Sequence, residues 1–311
     1  MTRNLVKMSG YKDRLRVKGL ASEEAPPEAG PSENIWRTAW RTLFRNPAGM
    51  IGLVGFMLLL LVVTLAPIIA PADPTGMDYD HLLESPSKAH LFGTDDLGRD
   101  ILSRVLWGGR ESLRVALLAL IVTAIGGIVL GLVSGYFGGW VDSLIMRLVD
   151  VLLAFPSILL VLSIVAALGP NLSTVLIALG ISATPGVSRF VRGTVLATKN
   201  CEYVTAAQVL GATHSYIMFT QILPNIMAPL IIYSTLGLGS FIMATAGLSY
   251  IGLGAQPPSP EWGAMLSHGR DFLRDAWWMS VFPGLAIFLA VLFINLLGDG
   301  LRDALDPKLR V

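Results

Sequence analysis

Five apolar stretches, each about as long as a helix needs to cross a hydrocarbon core, constrain this chain more than any other feature. They run over residues 49–70, 115–136, 148–168, 226–254 and 276–297. A sixth, over 172–187, is shorter and holds Pro185 in its interior. In a bilayer the backbone has no water to bond to, so such segments satisfy their own polar groups as helices. The pattern predicts an all-α integral membrane protein with six transmembrane helices. Composition agrees: 14% of residues are charged, against ~25% in a soluble domain. Asp150 is the one charge inside these stretches, and Arg114 stands at the edge of the second.

Six crossings put both termini on one side. That side holds 16 of the Lys and Arg residues: nine in 1–48, one in 137–147, three in 188–225 and three in 299–311. The opposite side holds 6: four in 71–110 and two in 255–275. The bias predicts that both termini, and with them segment 188–225, are cytoplasmic. The first apolar run begins only near residue 49, which is not the layout of a cleavable signal. Residues 1–34 are expected to form a mobile cytosolic head. Over 35–46 an amphipathic helix is predicted, with Ile35, Trp36, Ala39, Trp40, Leu43 and Phe44 on one face and Arg37, Arg41 and Arg45 on another. Such a helix suits the membrane interface. The remaining divisions are a first span with its external loop (49–110), a core (111–299) and a cytosolic tail (300–311). The single Cys201 excludes an intramolecular disulfide framework.

Between two spans lies a polar-to-amphipathic stretch, Tyr203-Val-Thr-Ala-Ala-Gln-Val-Leu-Gly-Ala-Thr-His-Ser-Tyr-Ile-Met-Phe-Thr-Gln-Ile-Leu-Pro-Asn225. Ala206, Ala207, Leu210 and Gly211 recur at helical spacing, so one face of a short helix is expected to be nearly bare of side chain. Gly211 suits either a close approach by another surface or the helix end. Pro224 and Asn225 read as a stop before the next span. The stretch resembles the loop of ABC importer permeases that reads Glu-Ala-Ala, three residues, Gly, nine residues, Ile-x-Leu-Pro. Ala206, Ala207, Gly211, Leu223 and Pro224 match it in place, while Thr205 stands where the pattern has Glu and Gln221 where it has Ile.

Three further segments carry the same resemblance. They are His90-Leu-Phe-Gly-Thr-Asp-Asp-Leu-Gly-Arg-Asp-Ile-Leu-Ser-Arg104, Gly139-Trp-Val-Asp-Ser-Leu-Ile-Met-Arg-Leu-Val-Asp-Val-Leu-Leu-Ala-Phe-Pro156 and Gly298-Asp-Gly-Leu-Arg-Asp-Ala-Leu-Asp-Pro307. Together they are similar to the C-type transmembrane subunit of the peptide/nickel importers. The resemblance implies the bundle of an ABC type I importer permease in the cytoplasmic (inner) membrane. It implies an ATPase-docking loop over 200–224, with Glu202, Thr205, Ala206, Ala207, Leu210, Gly211, His214 and Pro224 as docking residues. The partners it implies are a second homologous permease subunit, two ABC ATPases and an extracytoplasmic substrate-binding protein that meets loops 71–110 and 255–275. No cofactor is expected on this chain: ATP and Mg would sit on the ATPases. The substrates it implies are di- or oligopeptides, with nickel or another small solute as the alternative.

Read without the resemblance, the residues carry little reactive chemistry. There is no Gly-x-x-x-x-Gly-Lys-[Ser/Thr] loop and no His-Glu-x-x-His, so neither phosphate transfer nor zinc hydrolysis is expected. His81 and His90 lie among acids, but without metal-ligand spacing. The histidines all fall in loops, away from membrane serines such as Ser249. Asp95/Arg99 and Asp100/Arg104 stand four apart and are expected to pair if helical. Gly127, Gly131 and Gly135 make two Gly-xxx-Gly steps, and Ser240/Ala244 another, for core packing or a subunit contact. Asp150 follows Arg147 by three residues and reads as a paired structural charge or a pathway residue; Asn295 reads as a pathway residue or a helix-to-helix bond. The competing class, an ion-coupled secondary transporter, would need a midplane ion site, and Asp150 is the one candidate. No nucleic-acid partner is expected.

Overall fold

The computed structural model describes residues 35–305; the predicted head over 1–34 and residues 306–311 lie outside them. The chain runs α1 (Ile35–Arg45), α2 (Pro47–Thr64), α3 (Ala66–Ile69), α4 (Ile101–Phe137), α5 (Gly139–Ala154), α6 (Ser157–Leu168), α7 (Leu172–Thr198), α8 (Glu202–Val209), α9 (His214–Tyr216), a π-helical turn (Ile217–Ile222), α10 (Leu223–Tyr250), α11 (Trp262–Gly269) and α12 (Trp278–Leu305). Among the described residues there is no strand, only an isolated bridge between Thr94 and Asp100. Five helices are long and apolar enough to cross a membrane, and the bent pair α5–α6 makes a sixth when counted as one span.

Each departure from the predicted spans has a local cause. α4 begins at Ile101 rather than 115 because the Asp100 carboxylate caps it, accepting from the Ser103 N–H. At 37 residues it is about 55 Å long. The span predicted over 148–168 is broken by 87° between α5 and α6. Pro156 offers no N–H and forces Phe155 out of the helical region, to φ −87° and ψ 136°. Pro185, by contrast, interrupts nothing: α7 runs on through it for 27 residues. Packing along its whole length outweighs one missing hydrogen bond. α12 likewise continues to Leu305, past the predicted start of the tail at 300.

α4 crosses α7 closely. Gly127, Gly131 and Gly135 face Val187, Ser188/Val191 and Val195, and a Cβ added to them would stand 2.4, 2.6 and 2.9 Å from those neighbours. The two Gly-xxx-Gly steps thus pack inside the chain, where missing side chains let the backbones approach. α2 meets α12 in the same way: a Cβ on Gly49 would lie 3.0 Å from Gly300 Cα, and one on Gly52 2.4 Å from Leu297 N. Around these crossings Ala116, Ala119, Val165, Val175, Ala178 and Ala290 are fully buried. α1 presents Trp40 and Phe44 outward, their rings stacked at 5.9 Å, while Leu43 is buried with Ala304 and Leu305.

A buried polar knot closes the end of the bundle where α4 starts. Asp95 accepts from the backbone N–H groups of Leu97 and Arg99 and from Arg99 Nε at 2.6 Å. The Asp95–Arg99 pair therefore forms, but in a tight turn rather than a helix. Arg104 does not pair with Asp100 as the spacing predicted, because that carboxylate is spent on capping and on His90. It reaches Asp95 at 3.7 Å and donates to the Pro74 carbonyl instead. Beside the knot, buried Glu261 caps α11 and accepts from Ser112 Oγ at 2.8 Å, and buried Trp262 donates to the Val105 carbonyl.

Overpacking the α4–α7 crossing is the sharpest test of this core. Gly131→Leu should destabilise the protein by about 1–3 kcal/mol, seen as a lower melting temperature in detergent. Gly193→Ala, with open space around its Cβ inside the same α7, should not lower the melting temperature, since Ala favours helix over Gly. Equal effects at the two positions would contradict the packing described.

Candidate functional site: the loop between α7 and α10

α7 ends at Thr198, and the chain turns through Cys201 into α8. Glu202 is the first residue of α8, exposed and well placed for the positive end of the helix dipole. Val204 points inward and is fully buried with Leu132, Val191, Val195 and Ile217. It seats α8 on the π turn, in the cluster to which α4 and α7 also contribute. Thr205 and Ala206 are exposed, and the Thr205 hydroxyl turns back to the Cys201 carbonyl at 3.4 Å. Ala207 faces the buried cluster instead. The expected bare face is therefore divided, with one alanine of the pair outward and one inward. Partial desolvation, with Cys201 beside it, holds the exposed Tyr203 phenol above its ordinary pKa.

The helix ends in a Schellman motif. Gly211 adopts φ +79°, its N–H donates to the Gln208 carbonyl, and the Ala212 N–H reaches back to the Ala207 carbonyl, both at 3.0 Å. Ala212 and Ala207 pack on the same cluster, completing the motif's apolar contact. Of the two roles open to Gly211, the structure shows the helix end. The turn throws Val209 and Leu210 into solvent at 83% and 86% exposure. Two large apolar side chains so exposed on a well-anchored tip are what a partner's pocket would cover. Sequence reasoning placed Leu210 on a bare face and among the docking residues, and passed over Val209.

Past the tip, Thr213 caps α9 by accepting from the Tyr216 N–H. His214 Nδ1 and Tyr136 Oη share a 2.8 Å hydrogen bond, and the imidazole lies edge-on to the Tyr136 ring. This ties the loop to the end of α4. Lys199 Nζ donates to the Gly135 carbonyl one residue away, a second tie at the same helix end. Pro224 does not stop the chain as predicted. It sits in the first turn of α10, directly after the π turn, where Leu223 N–H bonds to the Met218 carbonyl. The wider turn makes room for a ring that would strike the carbonyl four residues back in a regular α-helix. The result is continuous helix from His214 to Tyr250.

The two pathway candidates lie apart from this loop. Asp150, on α5, pairs with Arg189 of α7 rather than with Arg147. Arg147 is three residues away on the same helix, but Arg189 comes from the neighbouring one. A second bridge, Asp142 to Arg192 with two 2.6 Å bonds, joins the same pair of helices. Asn295, on α12, presents its side-chain oxygen to Gly239 of α10, where a Cβ would lie 2.9 Å from it. No group of three or more His, Cys, Asp or Glu among the described residues could hold a metal ion.

Residues 127–311 match the family of binding-protein-dependent transport system inner membrane components, and residues 34–86 match the N-terminal transmembrane domain of oligopeptide transport permease C. The chain belongs to this permease family. It is 45% identical over 285 residues to a dipeptide transport system permease protein of Alkalihalophilus pseudofirmus, covering 92% of this chain and 94% of that one. A di/tripeptide permease of Pseudomonas aeruginosa is 46% identical, covering 87% and 91%. A glutathione permease of Pectobacterium atrosepticum is 44% identical, covering 88% and 92%. Among solved structures, inward-facing forms of the MetNI methionine ABC transporter share the fold: TM-score 0.52 at 20% identity, covering 66% of this chain and 96% of that one. This permease is thus an all-helical, multi-pass membrane protein of the type I importer fold, as the sequence motifs implied.

The α8 terminus offers a direct test. Gly211→Ala forces φ +79° on a residue with a Cβ and should cost about 1 kcal/mol at that helix end. Amide hydrogen exchange should show faster exchange over Glu202–Val209 with α4 and α7 unchanged. Unaltered protection of α8 would contradict the Schellman assignment.

Proposed function

We propose that this permease is a non-catalytic subunit of an ATP-driven importer of short peptides. It pairs with a second, homologous permease and works with two ATPases and an external binding protein. One observation carries the mechanical part: α8 is anchored through buried Val204 while Val209 and Leu210 stand unpartnered at its tip. A partner surface that covers this tip can push on the end of α4, where the His214–Tyr136 and Lys199–Gly135 bonds both end. Rigid elements sliding as a unit against the rest of the bundle are the ordinary route to alternating access.

The 16-to-6 charge bias supports a cytoplasmic position for this loop and both termini. ATP and Mg belong to the ATPases, because this chain has no phosphate-cradling loop. Peptide specificity rests on the relatives, whose names give dipeptide, di/tripeptide and glutathione transport. Loops 71–110 and 255–275, held in place by the buried polar knot, form the surface offered to the binding protein. Asp150, paired with Arg189, serves the packing of α5 on α7 rather than ion coupling.

Transport in membrane vesicles separates this reading from an ion-coupled one. Peptide uptake into right-side-out vesicles should require ATP inside, survive an ionophore, and stop when the phosphate-loop lysine of the partner ATPase is replaced. Gly211→Trp should lower uptake at least tenfold while the subunits still insert and co-purify. Uptake abolished by the ionophore, indifferent to the ATPase variant and lost on Asp150→Asn would defeat the proposal.

A further inference from the structure

At the end of the bundle opposite α8, two cavities meet at Trp107. The outer one, about 500 Å³, lies under the Pro67–Pro74 turn. The inner one is about 730 Å³, within the ~300–1,000 Å³ of small-molecule sites. Its walls are largely apolar, with Phe56 and Leu60 from α2, Leu176 from α7 and Leu238 from α10. Into this cleft α4 brings three charges, Arg110, Glu111 and Arg114.

Arg110 and Arg114 stand one turn apart on the same helix face. Among the described residues neither guanidinium has a carboxylate within 4.0 Å. Arg110 lies over the Trp107 ring at 5.0 Å, which orients it without neutralising it. Glu111 meets only the Ser259 hydroxyl, at 3.5 Å. Charges beside an apolar, membrane-spanning surface are costly and mark ligand paths more often than packing. These arginines also stand on the Lys- and Arg-poor side, so they do not serve the orientation bias.

We propose that this cleft holds the free peptide after its delivery. Arg110 and Arg114 take the C-terminal carboxylate, Glu111 takes the α-ammonium, and the apolar walls take the side chains. Residues three apart on a helix have Cβ atoms about 5–6 Å from each other. Glu111 and Arg114 therefore span a length suited to a dipeptide, whose Cα atoms are about 3.8 Å apart. Two positive groups and one negative group match a zwitterion, and the lack of a side-chain-specific pocket matches substrates defined by their termini. The inference rests on the importer reading above and adds a substrate site to it.

The test uses the intact complex with its partner subunits in nanodiscs, without the binding protein. Radiolabelled dialanine should bind saturably, and its C-terminal amide at least tenfold more weakly. Arg110→Gln/Arg114→Gln should weaken dialanine binding at least tenfold and abolish the discrimination between acid and amide. Arg114→Lys should preserve that discrimination, and Glu111→Gln should remove only the preference for dialanine over its N-acetyl form. Unchanged affinity and discrimination in the double variant would overturn the site. So would phospholipid that co-purifies with the wild type and leaves the double variant while peptide binding stays constant. No dialanine binding in nanodiscs by a complex that shows ATP-driven uptake when reconstituted in vesicles with its binding protein would sink this site and leave the importer reading standing; absence of uptake in those vesicles would sink the importer reading itself.

Discussion

The approach of α4 to α7 is the constraint on which the rest of the structure depends. Gly127, Gly131 and Gly135 remove side chains from one stripe of α4, and Val187, Val191 and Val195 fill the space. In lipid there is little hydrophobic gain in pressing one apolar helix on another, so close packing must hold the pair together. Once it is fixed, both helix ends become platforms. At one end the crossing continues into the cluster of Leu132, Val195, Val204 and Ile217, which seats α8. At the other, α4 carries the polar knot, the seat of Trp262 and the arginine-lined cleft.

This arrangement gives α4 a particular place in the molecule. A single helix of 37 residues reaches from the Asp100 cap to the Tyr136–His214 bond. Displacement at the α8 tip therefore has a stiff, continuous path to the opposite end. The knot keeps that path stiff. Asp95 and Arg99 are both buried, and a buried ion pair broken on one side costs about 3–5 kcal/mol. The bent pair α5–α6 is fastened to α7 by Asp142–Arg192 and Asp150–Arg189, so it follows the same unit.

Much of this was legible in the sequence. Span length and apolarity gave the all-helical architecture and the number of crossings, because the bilayer leaves a helix few alternatives. The motif around Ala206, Ala207 and Gly211 gave the position of the loop. Prolines were the weak point, since their effect depends on what surrounds them. Pro156 breaks a helix at a turn, Pro185 is carried by packing, and Pro224 follows a π turn whose hydrogen bonds no periodicity encodes. Charges at span edges were the second weak point. Hydropathy placed the start of the second span at 115, with Arg110 in the external loop and Arg114 at the span's edge, whereas the Asp100 cap puts both, with Glu111, well inside the helix. The partners of Asp150 and Arg104 also escaped, because sequence spacing favours neighbours on the same helix over groups from another.

The account's central claim is that α8 and the end of α4 move as one body. Double electron–electron resonance between spin labels at Val209→Cys and Phe137→Cys, on a Cys201→Ser background, measures this directly in the assembled complex. The account predicts the same narrow distance distribution in the nucleotide-free and ATP-bound states, while a label pair from Val209→Cys to the partner permease shifts between them. A Val209–Phe137 distance that changes or broadens on ATP binding would show α8 moving on its own, and would contradict it.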